Sequence, residues 1–285
     1  MNEEKREGTL VLIMAGGLGK RMNSLLPKVL HHIFEKPMIV HVIEQALALQ
    51  PYRIGIIVGQ YREKIQTTIE RYISGDSRER LVYIDQPEAL GTGHAIQCAR
   101  DFIKSFIMDS GSPDNDKRVL ILSGDVPMIN VRTMNGVLDK LTTSCCSIIT
   151  SRVENPHGYG RIITDSSGRF SRITEENDCT DKEREIRQVN AGIYAFDAQT
   201  LYDNLPYIQN NNSGNEYYLT DIIEIIRENK VGMTETETET RRETETRRER
   251  NIGIYMIPQD RNYEITGINT RFQLQDLERS MNREL

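Results

Sequence analysis

The chain has 285 residues, 38% hydrophobic and 27% charged, which is enough apolar side chain to bury a core and too much for global disorder. Its formal net charge of -6 argues against the basic face of a nucleic-acid binder, while a small anionic ligand needs only a few local cations. The charged start MNEEKREG is no signal peptide, no run approaches the ~20 apolar residues that span a bilayer, and Cys98, Cys145, Cys146 and Cys179 lack paired CxxC spacing. A cytoplasmic protein with reduced cysteines and no membrane partner is expected.

Residues 9–14 (TLVLIM) form the continuous aliphatic run of a strand buried on both faces, and glycines follow at once. Residues 37–49 then place apolar side chains at helical spacing behind a proline, and residues 53–58 (RIGIIV) read as the next strand. The alternation continues with helices over 61–71, 92–106 and 132–141 and strands over 81–85 and 119–123. Such a pattern predicts an α/β fold: a Rossmann-like, mostly parallel central sheet with helices on both faces. From about residue 146 the pattern changes. Strands over 147–153, 161–164, 170–174 and 189–196 are joined by polar turns and predict an antiparallel annex. Helices return over 218–228 and 270–283, around a strand at 252–257. One domain over 1–285 is expected, with parts of about 8–145 and about 146–285, since single cores stop growing at roughly this length. Residues 234–250 (TETETETRRETETRRER) contain nothing apolar to bury and read as a solvated insert.

Ligands of open α/β sheets sit beyond the carboxyl ends of the parallel strands, and the motifs fall there. Met14, Ala15, Gly16, Gly17 and Gly19 belong to MAGGLGKRM, which follows the first strand and offers backbone N–H groups to phosphate oxygens; a tight turn is the competing reading. The segment fails the Walker pattern, because Arg21 stands where Ser or Thr must follow Gly-Lys, and it lacks the third glycine of the dinucleotide pattern. Arg21 and, after Leu26-Pro27, Lys28 add two cations beside the loop, which suggests a triphosphate.

Gln86 opens QPEALGTGHA, whose glutamine amide suits the imide edge of uracil, with Gly91 and Thr92 beside it; Thr92 could equally cap the helix. His94, in the first turn of that helix, reads as structural. Gly124 and Asp125 end a strand, and the carboxylate suits a magnesium ion completed by substrate phosphates, the alternative being a turn aspartate before Pro127. Gly160, Glu175 and Asn190 punctuate the later strands and offer groups to sugar hydroxyls, while Asn269 either caps the last helix or ligates a metal.

Taken in order, these motifs resemble the sugar-phosphate nucleotidyltransferase family, and within it the pyrophosphorylase half of bifunctional bacterial N-acetylglucosamine-1-phosphate uridyltransferases. The likeness covers nearly the whole chain: MAGGLGKRM with LPKVL at 26–30, residues 86–95, GDVP at 124–127, GYGR at 158–161, Glu175, NAG at 190–192, EYYLTD at 216–221 and Asn269. The resemblance implies UTP on the 15–19 loop and Gly124, uracil read by Gln86, Gly91 and Thr92, and phosphates met by Arg21 and Lys28. It also implies Mg2+ on Asp125 and Asn269, with N-acetylglucosamine 1-phosphate held by Gly160, Glu175, Asn190 and Asn269. Arg21, Lys28 and Asp125 would carry catalysis, by in-line attack on the α-phosphorus that needs alignment and charge neutralisation more than a general base. Asn177 and Ala191 depart from the lysine and threonine expected there, and no hexapeptide array follows, so acetyl transfer is not expected. Glucose or mannose 1-phosphate, a cytidylyl transfer, and a non-catalytic sugar-nucleotide sensor are the alternatives, and a homo-oligomer is left open.

Overall fold

A computed structural model describes residues 8–17, 19–109, 117–228 and 251–281. The Thr/Glu/Arg-rich stretch 234–250 lies outside them. In chain order the strands are β1 (Thr9–Met14), β2 (His32–Ile33), β3 (Lys36–Pro37), β4 (Arg53–Val58), β5 (Leu81–Asp85), β6 (Arg118–Ser123), β7 (Cys146–Arg152), β8 (Arg161–Thr164), β9 (Phe170–Thr174), β10 (Gln188–Asp197) and β11 (Ile252–Ile257). Among the described residues, nine of them make one sheet in the order β11-β7-β10-β6-β1-β4-β5, with β8 joined to β10 and β9 to β8; β2 and β3 form a separate hairpin.

β6, β1, β4 and β5 run parallel. In sequence β4 and β5 build outward on one side of β1, and the chain then crosses back to lay β6 on the other side. The strand order therefore reverses between β1 and β6, and the carboxyl ends of those two strands flank the crevice where such sheets take ligands.

Alternate residues of the central strands face opposite layers. Val11, Ile13, Ile54, Ile56, Leu120 and Leu122 pack on one side with Ile39 and Ile43 of α1 (Met38–Ala48), Ile65 and Ile69 of α2 (Arg62–Tyr72), and later Met134 and Val137. Leu10, Leu12, Ile57, Val119 and Ile121 pack on the other, with Ile96, Ile103, Phe106 and Leu201. Each fully buried aliphatic side chain contributes roughly 1.5–3 kcal/mol, so this two-sided core fixes the strand ends rigidly.

One expectation is corrected. The single helix expected over 92–106 is two, α4 (Thr92–Cys98) and α5 (Arg100–Met108), broken at Ala99 with φ -88 and ψ 2; α3 is the single turn Asp76–Glu79. Neither proline nor glycine marks that break. The antiparallel strands expected after residue 146 are present, and they join the edge of the parallel sheet. β10 pairs antiparallel with both β6 and β7, and β11 runs parallel to β7, so only the β8–β9 hairpin stands off the main sheet. Within β10 a bulge between Asn190 and Tyr194, with Gly192 at φ +70, separates the Val189 pairing with β8 from the Tyr194–Asp197 pairing with β6, while β7 pairs on both sides of it.

The remaining helices are α6 (Val131–Asp139), α7 (Asp181–Arg184), α8 (Ala198–Asn204), α9 (Asp221–Glu228) and α10 (Arg271–Met281). α10 matters to the site. Leu277 packs with Ile268, Ile33 and Met38, and the Phe34 N–H donates to Glu278 at 3.0 Å, which draws the end of the chain back to the segment after Lys28. Among the described residues no helix is long and apolar enough to cross a membrane, and all four cysteines are free thiols.

Candidate active site

The loop after β1 is held from both sides. The Ala15 N–H donates to Ile57 O at 2.8 Å, and the Gly124 N–H to Met14 O at 2.9 Å. Gly16 and Gly19 are required by close approach. A Cβ on Gly16 would run into the Gln86 side chain, and one on Gly19, whose φ is +60, would stand 2.6 Å from Lys28 Cβ. Gly124 has the same character, its missing Cβ lying 3.1 Å from Met14 O, whereas Gly17 is exposed with open space around it. The glycines thus join three motifs far apart in sequence: the first loop, Gln86 and Lys28.

Gln86 is 6% exposed and donates through Nε2 to Gly91 O at 3.2 Å, with His94 Nδ1 at 3.4 Å from the same nitrogen. The second His94 nitrogen lies 3.8 Å from Cys98 Sγ, so the ring orients its neighbours, in keeping with a structural histidine. Gly91 takes φ +114, and a side chain there would also meet the Tyr217 backbone at 2.5 Å, so both conformation and space call for glycine. Of the two readings of Thr92, the cap is not seen: Gly91 occupies the N-cap position, Thr92 is the first helical residue, and its hydroxyl accepts the Leu219 N–H at 3.1 Å. Residues 217–220 are therefore drawn against this loop before α9 begins, which is why the helix expected from 218 starts at Asp221.

At the β1/β6 crevice the chain brings four predicted residues together. Lys28 Nζ pairs with Asp125 Oδ2 and donates to Asn269 Oδ1 at 3.1 Å, while Arg21 Nη2 donates to the same Asn269 oxygen at 2.9 Å. Ser123 Oγ fixes the other Asp125 oxygen at 2.6 Å, and the Ile268 N–H donates to Asp125 O at 2.9 Å. With the Lys28 and Asp125 side chains 16% and 12% exposed, solvent screens this pair only partly. The two readings of Asn269 separate here. Gln273 Oε1 accepts from the N–H groups of Asn269 and Thr270, and Thr270 Oγ1 accepts from Gln273 N–H, so these two side chains cap α10 and leave the Asn269 amide to face the cations.

This donor set fits a hard divalent cation. The Asp125 and Asn269 oxygens already converge on one positive charge, the Lys28 ammonium, and supply one anionic and one neutral oxygen. Among the described residues no group of three or more His, Cys, Asp or Glu is gathered that could hold a metal. A cation here would take its other ligands from water and phosphate oxygens, as magnesium does.

The third cluster lies among the later strands. A Cβ on Gly160 would stand 3.4 Å from Glu175 Oε2 and 3.6 Å from Asn190 Cβ, so these three residues meet at one point. Glu175 Oε1 accepts from Thr220 Oγ1 at 2.9 Å; desolvation holds the carboxyl above its ordinary pKa, the charges of Asp178 and Glu216 add to the rise, and the Thr220 bond opposes it. Asn190 Nδ2 donates to the Tyr194 hydroxyl at 2.6 Å, and its Oδ1 accepts from Gly192 N–H at 3.1 Å. Burial, and then the charge of Asp125, raise the Tyr159 phenol. Ala191 is buried beside the bulge and Asn177 is exposed. Asn269 has its side-chain partners, Arg21 and Lys28, at the ionic cluster. Thr220, Tyr159, Tyr194 and Glu176 touch or support these groups without having been expected to; Tyr159 and Thr220 lie inside the GYGR and EYYLTD motifs, Glu176 next to Glu175 and Tyr194 two residues after NAG, and that placement is their signal in the sequence.

A family model described as nucleotidyl transferase matches residues 10–240. An Acanthamoeba polyphaga mimivirus protein described as a probable UDP-N-acetylglucosamine pyrophosphorylase is 36% identical over 270 residues, 94% of each chain. The bifunctional protein GlmU of Thermoanaerobacter pseudethanolicus is 34% identical over 281 residues, 98% of this chain and 53% of that one, so the chain spans about half of the bacterial relative. A Bacillus anthracis crystal structure described as a glucose-1-phosphate thymidylyltransferase superposes with a TM-score of 0.63 at 18% identity, covering 97% of this chain and 96% of that one, a likeness of fold.

Proposed function

The chain belongs to the nucleotidyl transferase family, and we propose from that premise that it transfers the uridylyl group of UTP to N-acetylglucosamine 1-phosphate, releasing pyrophosphate. The observation that carries the reading is the meeting of Arg21, Lys28, Asp125 and Asn269 where β1 and β6 diverge, beside a glycine loop. The description of the mimiviral relative supports this choice of nucleotide and sugar.

In this mechanism Gln86 presents its amide to the uracil edge while Gly91 and Thr92 shape the same wall. Arg21 grips phosphate oxygens with its planar fork, and Lys28 exchanges Asp125 for the triphosphate as a point charge. Asp125 and Asn269 would hold a magnesium ion, which supplies charge neutralisation at the α-phosphate and pyrophosphate oxygens. Glu175, Asn190 and the Gly160 backbone orient the sugar hydroxyls and N-acetyl group. The sugar 1-phosphate is itself the nucleophile, so alignment and preorganised charge do the catalysis, and no histidine or serine is needed. We take residues 1–285 as one functional domain, because β10 pairs with strands of both parts, and the cytoplasm as its place of action.

Incubation with UTP, N-acetylglucosamine 1-phosphate and Mg2+ followed by mass spectrometry tests this. UDP-N-acetylglucosamine should accumulate and disappear in excess chelator; binding of the nucleotide sugar with no product formed would favour a sensor instead.

A further inference from the structure

Arg161 is the largest side chain that the fold buries completely, at 1% exposure, and it lies at the start of β8 immediately after the turn that carries Gly160. Its guanidinium is directed at that turn. Nη1 donates to Tyr159 O, and Nη2 pairs with Glu176 Oε2 at 2.8 Å and reaches Arg184 O at 3.4 Å. The same Glu176 oxygen accepts the Gly158 N–H at 2.9 Å. On the far side, Gly160 O accepts the Asn190 N–H at 2.8 Å. Three consecutive residues, 158, 159 and 160, are thus each fixed through the backbone, two of them by one ion pair whose arginine is buried and whose carboxylate is 22% exposed.

We propose that the Arg161–Glu176 pair is a positioning device for the sugar 1-phosphate, one that sets the height of Gly160 against Glu175 and Asn190 without touching substrate. This rests on the functional reading above. The geometry leaves little slack: a Cβ at Gly160 would stand 3.0 Å from Ile173 and 3.4 Å from Glu175, so movement toward the carboxylate closes the space and movement away opens it. Gly158 takes φ +87, and as a glycine it has other backbone conformations open to it once its N–H loses Glu176. Glu176 is suited to the task because the Gly158 N–H and the guanidinium outweigh desolvation and hold its carboxyl below the ordinary range, so it stays charged.

The test compares Glu176→Ala, Glu176→Gln and Arg161→Lys in the full chain, with KM for each substrate, kcat, melting temperature and hydrogen exchange over residues 156–160. Glu176→Ala should raise KM for the sugar 1-phosphate by about tenfold or more while KM for UTP stays within about twofold, as expected when a binding group is displaced by a fraction of an ångström. Glu176→Gln, which keeps an acceptor for Gly158, should recover much of the loss, and exchange in the turn should quicken in the order Gln, then Ala. Both KM values moving together in proportion to lost stability, or unchanged exchange in the turn, would overturn the proposal. Should the unaltered protein turn over no sugar 1-phosphate at all, the functional reading fails, and the exchange measurement still decides whether the pair pins the turn.

Discussion

Replacing Asp125 with asparagine changes almost nothing in size and removes one charge, so its effects on stability and on catalysis can be separated. In the folded chain Asp125 is 8% exposed, takes a hydrogen bond from Ser123 and pairs with Lys28, which retains Asn269 as a second partner. A surface pair contributes about 0–1 kcal/mol and breaking a fully buried one costs about 3–5 kcal/mol; with Ser123 and Asn269 still satisfying both sides, the substitution should cost roughly 1–2 kcal/mol. At about 2–4 °C per kcal/mol for a chain of this size, the melting temperature falls by about 2–8 °C and the fold survives at 25 °C. Loss of one main electrostatic stabiliser lowers kcat by about two orders of magnitude, or roughly 2.7 kcal/mol in the barrier. Pyrophosphate release at saturating substrates and Mg2+, measured beside a thermal melt, reads the loss of turnover and the loss of stability separately. Near-normal turnover, or a turnover loss matched by loss of the folded signal, would refute the reasoning.

Other consequences follow from the same contacts. Glu175 has a raised carboxyl pKa, so the folded state binds its proton more tightly than the unfolded state; stability is lost as pH rises through the ordinary carboxyl range toward the raised value. Glu175→Gln should therefore melt progressively higher than the unaltered protein between pH 4 and pH 7 while binding sugar 1-phosphate more weakly, and a variant that melts lower at pH 7 would contradict this. Gly19→Ala meets both a left-handed φ of +60 and Lys28 Cβ at 2.6 Å. It should lose about 1–3 kcal/mol in denaturant titration and raise KM for UTP. Lys28→Met removes the ammonium that now fills the Asp125–Asn269 cradle, so without nucleotide Mn2+ should bind about tenfold tighter or more, even as turnover collapses; unchanged Mn2+ affinity would show that the ammonium does not compete.

Much of this was legible in the sequence for identifiable reasons. The strands at 9–14, 53–58 and 81–85 were found to the residue because buried parallel strands are uninterrupted aliphatic runs bounded by glycine, proline or charge. Gly16, Gly19, Lys28 and Asp125 stood out because glycine loops and strand-end carboxylates are local features. What the sequence hid was set by tertiary contact. The break at Ala99 has no breaker residue, the Thr92 hydroxyl was claimed by Leu219 from 127 positions away, and the β10 bulge around Gly192 falls where that strand changes from pairing with β8 to pairing with β6. Asn269 was left between two roles until Thr270 and Gln273 were seen to cap the helix without its side chain. Arg161 and Glu176 lay within or beside recognised motifs, yet their pairing across 15 positions is visible only once β8 and β9 fold back.

The most direct measurement is pyrophosphate release across a matrix of UTP, CTP, dTTP, ATP and GTP against N-acetylglucosamine, glucose and mannose 1-phosphates, each with Mg2+ and with excess chelator. UTP with N-acetylglucosamine 1-phosphate should give the highest kcat/KM and fall to background in chelator. Faster turnover of glucose or mannose 1-phosphate, a preference for another nucleotide, or full activity without divalent metal would contradict the reading built here on Gln86, Glu175, Asn190 and the Lys28–Asp125–Asn269 cluster.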